Sequence, residues 1–492
     1  MTTAIMVLGT ASGVGKSWVS TGLCRLLARR GLRVRPFKAQ NMSNNASPAR
    51  MHDGGWGEIG RAQAAQARAA YQEPHVDMNP LLLKPTGAMG SQIVLEGRAI
   101  GHKKARDYYK ELDGWFGRIT AAYDRLAAAS DVVVLEGAGS PVEINLMHRD
   151  IVNLRMARHA LRSSDAGGLI LVGDIHRGGV FASLLGTLEF MPRDDRARVA
   201  GVIINRFMGD PTLLAPGPEM FTERTGIPVL GVLPLRRDIH VDEEDGQDVA
   251  AAGAGAIDVC VVRLPTVSNF TDVSGLARAA GVRVRYVREP AAVGNPDLLV
   301  LPGAKDTLSD LAWMRRTGMD RIVQAAAARG VPTLGLCGGY QLLGESLADA
   351  DGVGGTAGRV PGLGLLPVHT AFSRKKHVRE VSGTTRPGWL LPADLPVRGY
   401  EIHQGETPAS DAPLVTLDGP DGAVAGCVAG TYLHGLLDTA EVAVALVDAL
   451  RARRGLAPSA EAVPDLAAWR EAQYDAAADL IEAHIDLQGI LP

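Results

Sequence analysis

Short apolar runs alternate with longer amphipathic stretches along the chain, in two series. In the first, residues 5–8, 132–135, 169–172, 202–204 and 229–233 are rich in β-branched residues and bounded by Gly or Asp. Runs of that length without polar alternation predict parallel strands buried on both faces. After the first run, Val19, Leu23, Leu26 and Leu27 fall on one face of a helix that Gly31 would end. The first series therefore predicts an α/β domain with a doubly wound parallel sheet. A second α/β series follows at 259–262, 282–287, 298–301 and 333–336. Between the two, Asp242, Glu243, Glu244 and Asp245 form an acidic run ahead of an Ala/Gly-rich stretch, which reads as a solvated linker. Beyond 440 the chain is Ala-rich, carries Trp469 and is expected to be helical. The expected organisation is a first domain over 1–240, a linker over 241–256, a second domain over 257–440 and a helical tail over 441–492.

Composition narrows the class. At about 150 residues per domain, 492 residues fit two to four domains. With 46% apolar and 21% charged residues, large cores are expected and wholesale disorder is not. A net charge of −3 leaves no global basic footprint, which argues against a dedicated nucleic-acid or membrane-surface binder. Cys24, Cys260, Cys337 and Cys427 lie far apart with no C-x-x-C pair, so a reducing cytosol is expected rather than a disulfide scaffold or zinc ribbon. The first residues lack a basic segment ahead of their apolar run and read as a strand, not a signal peptide. No apolar run is long enough for a membrane span, so a soluble cytoplasmic protein is expected.

Gly9-Thr10-Ala11-Ser12-Gly13-Val14-Gly15-Lys16-Ser17 follows the first run and opens the first helix, which is the context of a phosphate-binding loop. Small residues such as Thr10, Gly13 and Gly15 let backbone N–H groups close around phosphate oxygens, and the helix N-terminus adds positive potential. Lys16 is expected to reach the β- and γ-phosphates and Ser17 to ligate Mg²⁺. Thr10 stands where the strict pattern wants Gly, so the loop is a variant. Ala11 stands where the partition and septum-site ATPases carry an extra Lys, which weighs against a dimerising switch. Glu136 closes the run 132–135 ahead of Gly137-Ala138-Gly139. A buried lone acid is costly, so a cation partner is expected there. Asp53 is a weaker candidate for the same ion, and Asp174 ends another strand. Asn205 could serve a base edge, or cap its strand.

Leu336-Cys337-Gly338-Gly339 closes the run 333–336, with Gly335 and Gly339 flanking Cys337 at two-residue spacing. This G-x-C-x-G pattern reads as a nucleophile elbow, a strained strand-to-helix turn that exposes its nucleophile. The helix N-terminus favours the thiolate, and the Gly338 N–H can stabilise an oxyanion. A second donor is expected near Gly303, after the run 298–301. His434 lies far downstream but can meet Cys337 in space as a general base.

These motifs carry a resemblance. The second half resembles the class I glutamine amidotransferases. The resemblance implies that Cys337 forms a γ-glutamyl thioester, that His434 shuttles protons, that ammonia is released, and that Gly303, Gly338 and Gln341 serve oxyanion and glutamine. Many members carry a Glu two residues after the His. Leu436 stands there, so the usual third triad member is expected to be absent, as in the cobyric/cobyrinic acid synthase branch. Gly399-Tyr400-Glu401-Ile402-His403-Gln404-Gly405 resembles that branch too. The first half resembles dethiobiotin synthetase in its loop and in Glu136-Gly137-Ala138-Gly139. More specifically it resembles the cobyric acid synthases, glutamine-hydrolysing enzymes of adenosylcobalamin biosynthesis. The supporting blocks include Phe37-Lys38-Ala39-Gln40-Asn41-Met42-Ser43, Met78-Asn79-Pro80, Leu83-Lys84-Pro85, Gly139-Ser140-Pro141-Val142-Glu143 and Gly173-Asp174-Ile175-His176-Arg177.

The resemblance implies ATP with Mg²⁺ over 10–17, the ion held by Ser17 and Glu136, and glutamine as ammonia donor. It implies amidation of the b, d, e and g carboxylates of adenosylcobyrinic acid a,c-diamide through acyl phosphates, with a guarded ammonia path between domains. Lys16 and Lys38 would be the phosphate-side cations, Gln40 and Asn41 would face substrate or phosphate, and Asp150 would orient a substrate or make an exposed ion pair. Extra residues between His52 and Glu58 leave Asp53 and Glu58 as alternatives beside the metal. A corrinoid is the expected partner, with no nucleic acid, no membrane and no bound prosthetic group, and a homo-oligomer is left open. The rival readings are a cobyrinic acid a,c-diamide synthase and a non-biosynthetic switch ATPase.

Overall fold

The computed structural model describes residues 2–86, 90–163, 166–242, 255–353, 357–459 and 463–491. The chain runs through β1 (Thr3–Gly9), α1 (Lys16–Arg29) and β2 (Val34–Phe37). It then makes an excursion through β3 (Gln40–Met42), β4 (Ala46–Arg50), β5 (Trp56–Gly60), α2 (Arg61–Ala69), β6 (Leu81–Thr86), β7 (Gly90–Leu95) and β8 (Arg98–Lys104). It returns through α3 (Ala105–Ala128) to β9 (Val132–Glu136), β10 (Gly167–Asp174), β11 (Val199–Phe207) and β12 (Val229–Pro234). The main sheet is parallel, in the order β12-β11-β10-β1-β9-β2. Ala4, Met6 and Leu8 join the core on one face, while Ile5 and Val7 join the core on the other. Side chains alternate along a strand, so a sheet covered on both faces needs apolar residues at every position.

The excursion builds a small sheet, β3-β6-β7-β8, and a hairpin, β4–β5. These lie between the main sheet and the second domain. That domain has its own sheet of β13 (Ile257–Val262), β14 (Val282–Val287), β15 (Leu298–Leu301) and β16 (Thr333–Leu336), extended by Val428–Thr431 beside β16 and an antiparallel edge at Ala423–Ala425. A long strand, His369–Thr385, pairs antiparallel with Pro396–Glu406 and reaches toward the first domain.

The C-terminal segment divides. The helix Ala440–Arg453 puts Val442, Leu446 and Leu450 into the second domain's core. The helix Leu466–His484 crosses back, and its Tyr474, Ala477 and Ile481 share a core with Val19, Leu23 and Leu27 of α1. Gly22 permits that approach, because a Cβ there would lie 2.5 Å from Ile481 Cδ1. The buried Arg25 pairs with Glu471 and, at 3.2 Å, with Asp475. Asp242 also departs from the solvated reading. It is half-buried, 3.9 Å from Arg61 and 3.8 Å from Arg470, because a buried and a half-buried guanidinium require an anion. Glu243, Glu244, Asp245 and the expected linker through 254 lie outside the described residues. Among the described residues no helix is long and apolar enough to cross a membrane.

Candidate active site

The phosphate loop hangs from two adjacent strands, since Thr10 N–H donates to the Val172 carbonyl at 3.0 Å. Gly13 and Gly15 have φ of 72° and 97°, a region that glycine enters without steric cost. A Cβ on Gly15 would lie 2.2 Å from Asn205 Nδ2. Asn205 holds the loop rather than facing outward to a base. Its Nδ2 donates to the Val14 carbonyl at 2.8 Å, and its Oδ1 accepts from Arg206 N–H at 2.9 Å. Lys16 Nζ donates to the Ala11 and Gly139 carbonyls, both at 3.0 Å, which keeps the ammonium over the loop. Ser17 Oγ donates to Glu136 Oε1 at 2.9 Å. Glu136, fully buried at the end of β9, also receives Lys38 Nζ at 2.9 Å and Gln66 Nε2 from α2. Burial alone would raise its carboxyl pKa, but Lys38 and the two hydrogen-bond donors outweigh burial and hold it below the ordinary value.

The other first-domain candidates scatter. Gln40 accepts from the Tyr108 hydroxyl, and Asn41 Nδ2 donates to Gln63 Oε1 at 2.7 Å. Asp150 Oδ1 accepts from Val152 and Asn153 N–H at 2.8 and 3.1 Å. Asn153 then brackets Ala138, accepting from its N–H at 3.0 Å and donating to its carbonyl at 2.9 Å. Asp150 thus braces the turn behind Glu136. It makes no ion pair with Arg155, which goes to Asp113 at 2.8 Å. Asp53 sits at the exposed turn of the β4–β5 hairpin, held by Gly55 N–H and Arg98, and its contacts do not include the phosphate loop. Glu58 is wholly buried, with its two oxygens on Lys84 (2.8 Å) and Lys376. Burial would raise its pKa, but the two lysines pull it down to about 2. Its charge is already matched by ammonium groups.

In the second domain β16 runs into Cys337, whose φ of 50° and ψ of −105° are strained for a residue with a side chain. Close backbone packing imposes this. A Cβ on Gly339 would lie 1.9 Å from the Leu301 carbonyl, and one on Gly338 would lie 2.6 Å from Ala304 N. The elbow therefore abuts the loop after β15, which carries Gly303. β16 pairs in parallel with Val428–Thr431, matching Leu336 with Thr431, and Cys337 N–H donates to the Thr431 carbonyl at 2.8 Å. That register brings His434 to Cys337. His434 is fully buried, and a Cβ on Gly303 would lie 3.2 Å from its Cε1. Tyr400 stacks on its ring at 5.0 Å.

His434 Nδ1 lies 2.7 Å from Asp272 Oδ2. The expectation of no third acid is therefore corrected. Leu436 is packed in the core, and the acid reaches the His from a loop after β13. Burial would strip the imidazole of its proton, but Asp272 and a hydrogen bond with Cys337 outweigh it and raise the His434 pKa to about 10. Sequence spacing gave no sign of Asp272. The only available signal was a polar segment, Ser268-Asn269-Phe270-Thr271-Asp272, directly after a buried strand. Gln341 is committed at both ends, accepting from Thr307 Oγ1 at 2.9 Å and donating to the Tyr432 hydroxyl at 3.3 Å.

The second site is joined to the first domain through buried polar contacts. Asn269 N–H donates to Asn45 Oδ1 at 2.9 Å, its Oδ1 accepts from Ala46 N–H at 3.3 Å, and its Nδ2 lies 3.4 Å from His434 Nε2. Arg61, at the start of α2, donates to the Tyr400 hydroxyl. A cavity beside the elbow is lined by Cys337, His403 and Lys305 together with Lys376 and the first domain's Lys84.

The fold and its paired sites define a nucleotide-binding domain fused to a glutamine amidotransferase. Residues 5–249 match the CobQ/CobB/MinD/ParA nucleotide binding domain, and residues 258–442 match the CobB/CobQ-like glutamine amidotransferase domain. A cobyric acid synthase from Desulforudis audaxviator is 47% identical over 506 residues, covering 99% of each chain. Those from Citrobacter koseri and Salmonella typhimurium are 46% identical, covering 100% of this chain and 98% of theirs. The chain belongs to the cobyric acid synthase family.

Proposed function

We propose that this chain uses ATP and glutamine to amidate the b, d, e and g carboxylates of adenosylcobyrinic acid a,c-diamide, giving adenosylcobyric acid. The observation that carries the reading is one molecule holding both a strained, acid-backed Cys–His pair and a phosphate loop over a buried Glu136–Lys38 pair. Cys337 sulfur attacks the γ-carboxamide carbon of glutamine. N–H groups at Gly338 and beside Gly303 receive the oxyanion. His434 gives its proton to the departing nitrogen as the C–N bond breaks and ammonia leaves. Water then hydrolyses the thioester, with His434 taking up a proton, to yield glutamate and the free thiol.

At the other site, a substrate carboxylate oxygen attacks the γ-phosphorus of ATP and ADP departs. Lys16 and the loop N–H groups neutralise charge on the transferred phosphoryl group, and Lys38, held on Glu136 at 2.9 Å, is the second cation of the site. Ammonia attacks the acyl carbon, phosphate leaves and the amide forms. Activation is required because carboxylate oxygen is a poor leaving group. The Ser17 hydroxyl and the Glu136 carboxylate are hard oxygen donors 2.9 Å apart, which suits Mg²⁺. When bound there, the ion would neutralise phosphate charge. Asp53 is held by Gly55 N–H and Arg98, and Glu58 by two lysines against one on Glu136.

Replacing Cys337 by Ala is expected to abolish glutamine-dependent amidation while sparing activity with added ammonia, measured by product formation from the a,c-diamide. Loss of both activities in a folded variant would remove the assignment. Turnover of the a- and c-carboxylates instead would favour the diamide synthase.

A further inference from the structure

Lys305 follows Gly303-Ala304 on the loop that abuts the elbow, and it lines the same cavity as Cys337. Two residues of chain span at most about 7 Å, so Lys305 stays close to the expected oxyanion position. Among the described residues, no hydrogen bond or ion pair engages its ammonium. The nearest acids are spoken for. Asp306 turns to Ser309, accepting from its N–H at 3.1 Å and its hydroxyl at 2.8 Å, and Glu58 is divided between Lys84 and Lys376. The cavity wall thus carries three lysine side chains, and the buried Glu58 carboxylate is shared by only two of them. Lys305 is half-buried in this wall, and a partly desolvated cation without a counter-ion is costly, a cost that an arriving anion relieves. Burial, together with repulsion from Lys376 and Lys84, pushes the Lys305 pKa well below its ordinary value.

We infer that Lys305 is the anchor for the α-carboxylate of glutamine, a role that rests on the reading of Cys337 as the glutaminase nucleophile. The ligand that enters this cavity must present a carboxamide to Cys337 and an anion to Lys305. Glutamine carries both groups. Lys84 and Lys376 stay on Glu58 and keep the wall cationic, so the first domain contributes to the electrostatics of the glutamine pocket.

The test uses the full chain, with glutamine and its α-amide (the α-carboxylate replaced by a neutral carboxamide) as competing nitrogen donors. Wild type is expected to favour glutamine by at least tenfold in kcat/KM, the size of one lost charge-assisted bond. Lys305→Met is expected to raise KM for glutamine by the same factor, to change kcat little and to lose the preference, while Lys305→Arg restores much of it. Ammonia-driven amidation reports that each variant is folded. A wild type that uses the α-amide as well as glutamine overturns the inference without need of any variant. So does a Lys305→Met variant that keeps the preference. A wild type that uses ammonia but no glutamine overturns the glutaminase reading itself, and the inference with it.

Discussion

His434 is the residue on which the second site turns, and Asp272 is what sets its charge. With a pKa raised from 6.5 to about 10, the imidazole keeps its proton through neutral pH. A raised histidine pKa contributes stability that is fully present below about 6.5 and is lost as pH rises through about 10. Asp272→Asn is expected to flatten that slope in denaturant titrations between pH 6.5 and 10. It is also expected to reduce glutamine-dependent turnover about a hundredfold or more, since the imidazole loses the group that fixes its orientation and stabilises its charged form. Ammonia-dependent turnover should persist. Cys337, Lys16, Ser17 and Glu136 were legible in the sequence because each belongs to a local turn with a characteristic pattern of small residues. Asp272 was not, because it reaches His434 across 162 residues of chain, and such a contact leaves no periodicity. The pairing of Glu58 was not legible for the same reason, since both of its lysines come from other strands.

At the scale of elements, α2 links the two sites. Arg61 at its start reaches Tyr400, which stacks on His434, and Gln66 farther along reaches Glu136. Arg61→Met is expected to weaken glutamine-driven amidation while leaving ammonia-driven amidation near wild type. Gln66→Leu should lower both, because it removes a donor from the acid beside the phosphate loop. A steady-state comparison of the two nitrogen sources separates these outcomes. The parallel strands were readable from their unbroken apolar runs. The excursion from β3 to β8 was not, since its strands are short, lie partly at the interface and mix polar with apolar positions. The helix Leu466–His484 was foreseen as a helix, but its apolar stripe could not say that its partner is α1.

For the whole molecule, the buried Lys84–Glu58–Lys376 cluster makes the contact between domains depend on charge. Glu58 titrates at about 2 instead of its ordinary 4.5, so its contribution is present above about 4.5 and is lost as pH falls toward 2. Glu58→Gln would leave two buried ammonium groups without an anion, at a cost of about 3–5 kcal/mol. It is expected to appear as earlier unfolding and faster proteolysis between the domains. The central claim is that nitrogen freed at Cys337 is consumed at the phosphate loop of the same molecule. Mass spectrometry of the corrinoid product tests it most directly, with amide-¹⁵N glutamine as donor in a medium containing unlabelled ammonium. ¹⁵N is expected in all four new amides at b, d, e and g. Product carrying mainly unlabelled nitrogen, or no amidation of those carboxylates, would contradict it.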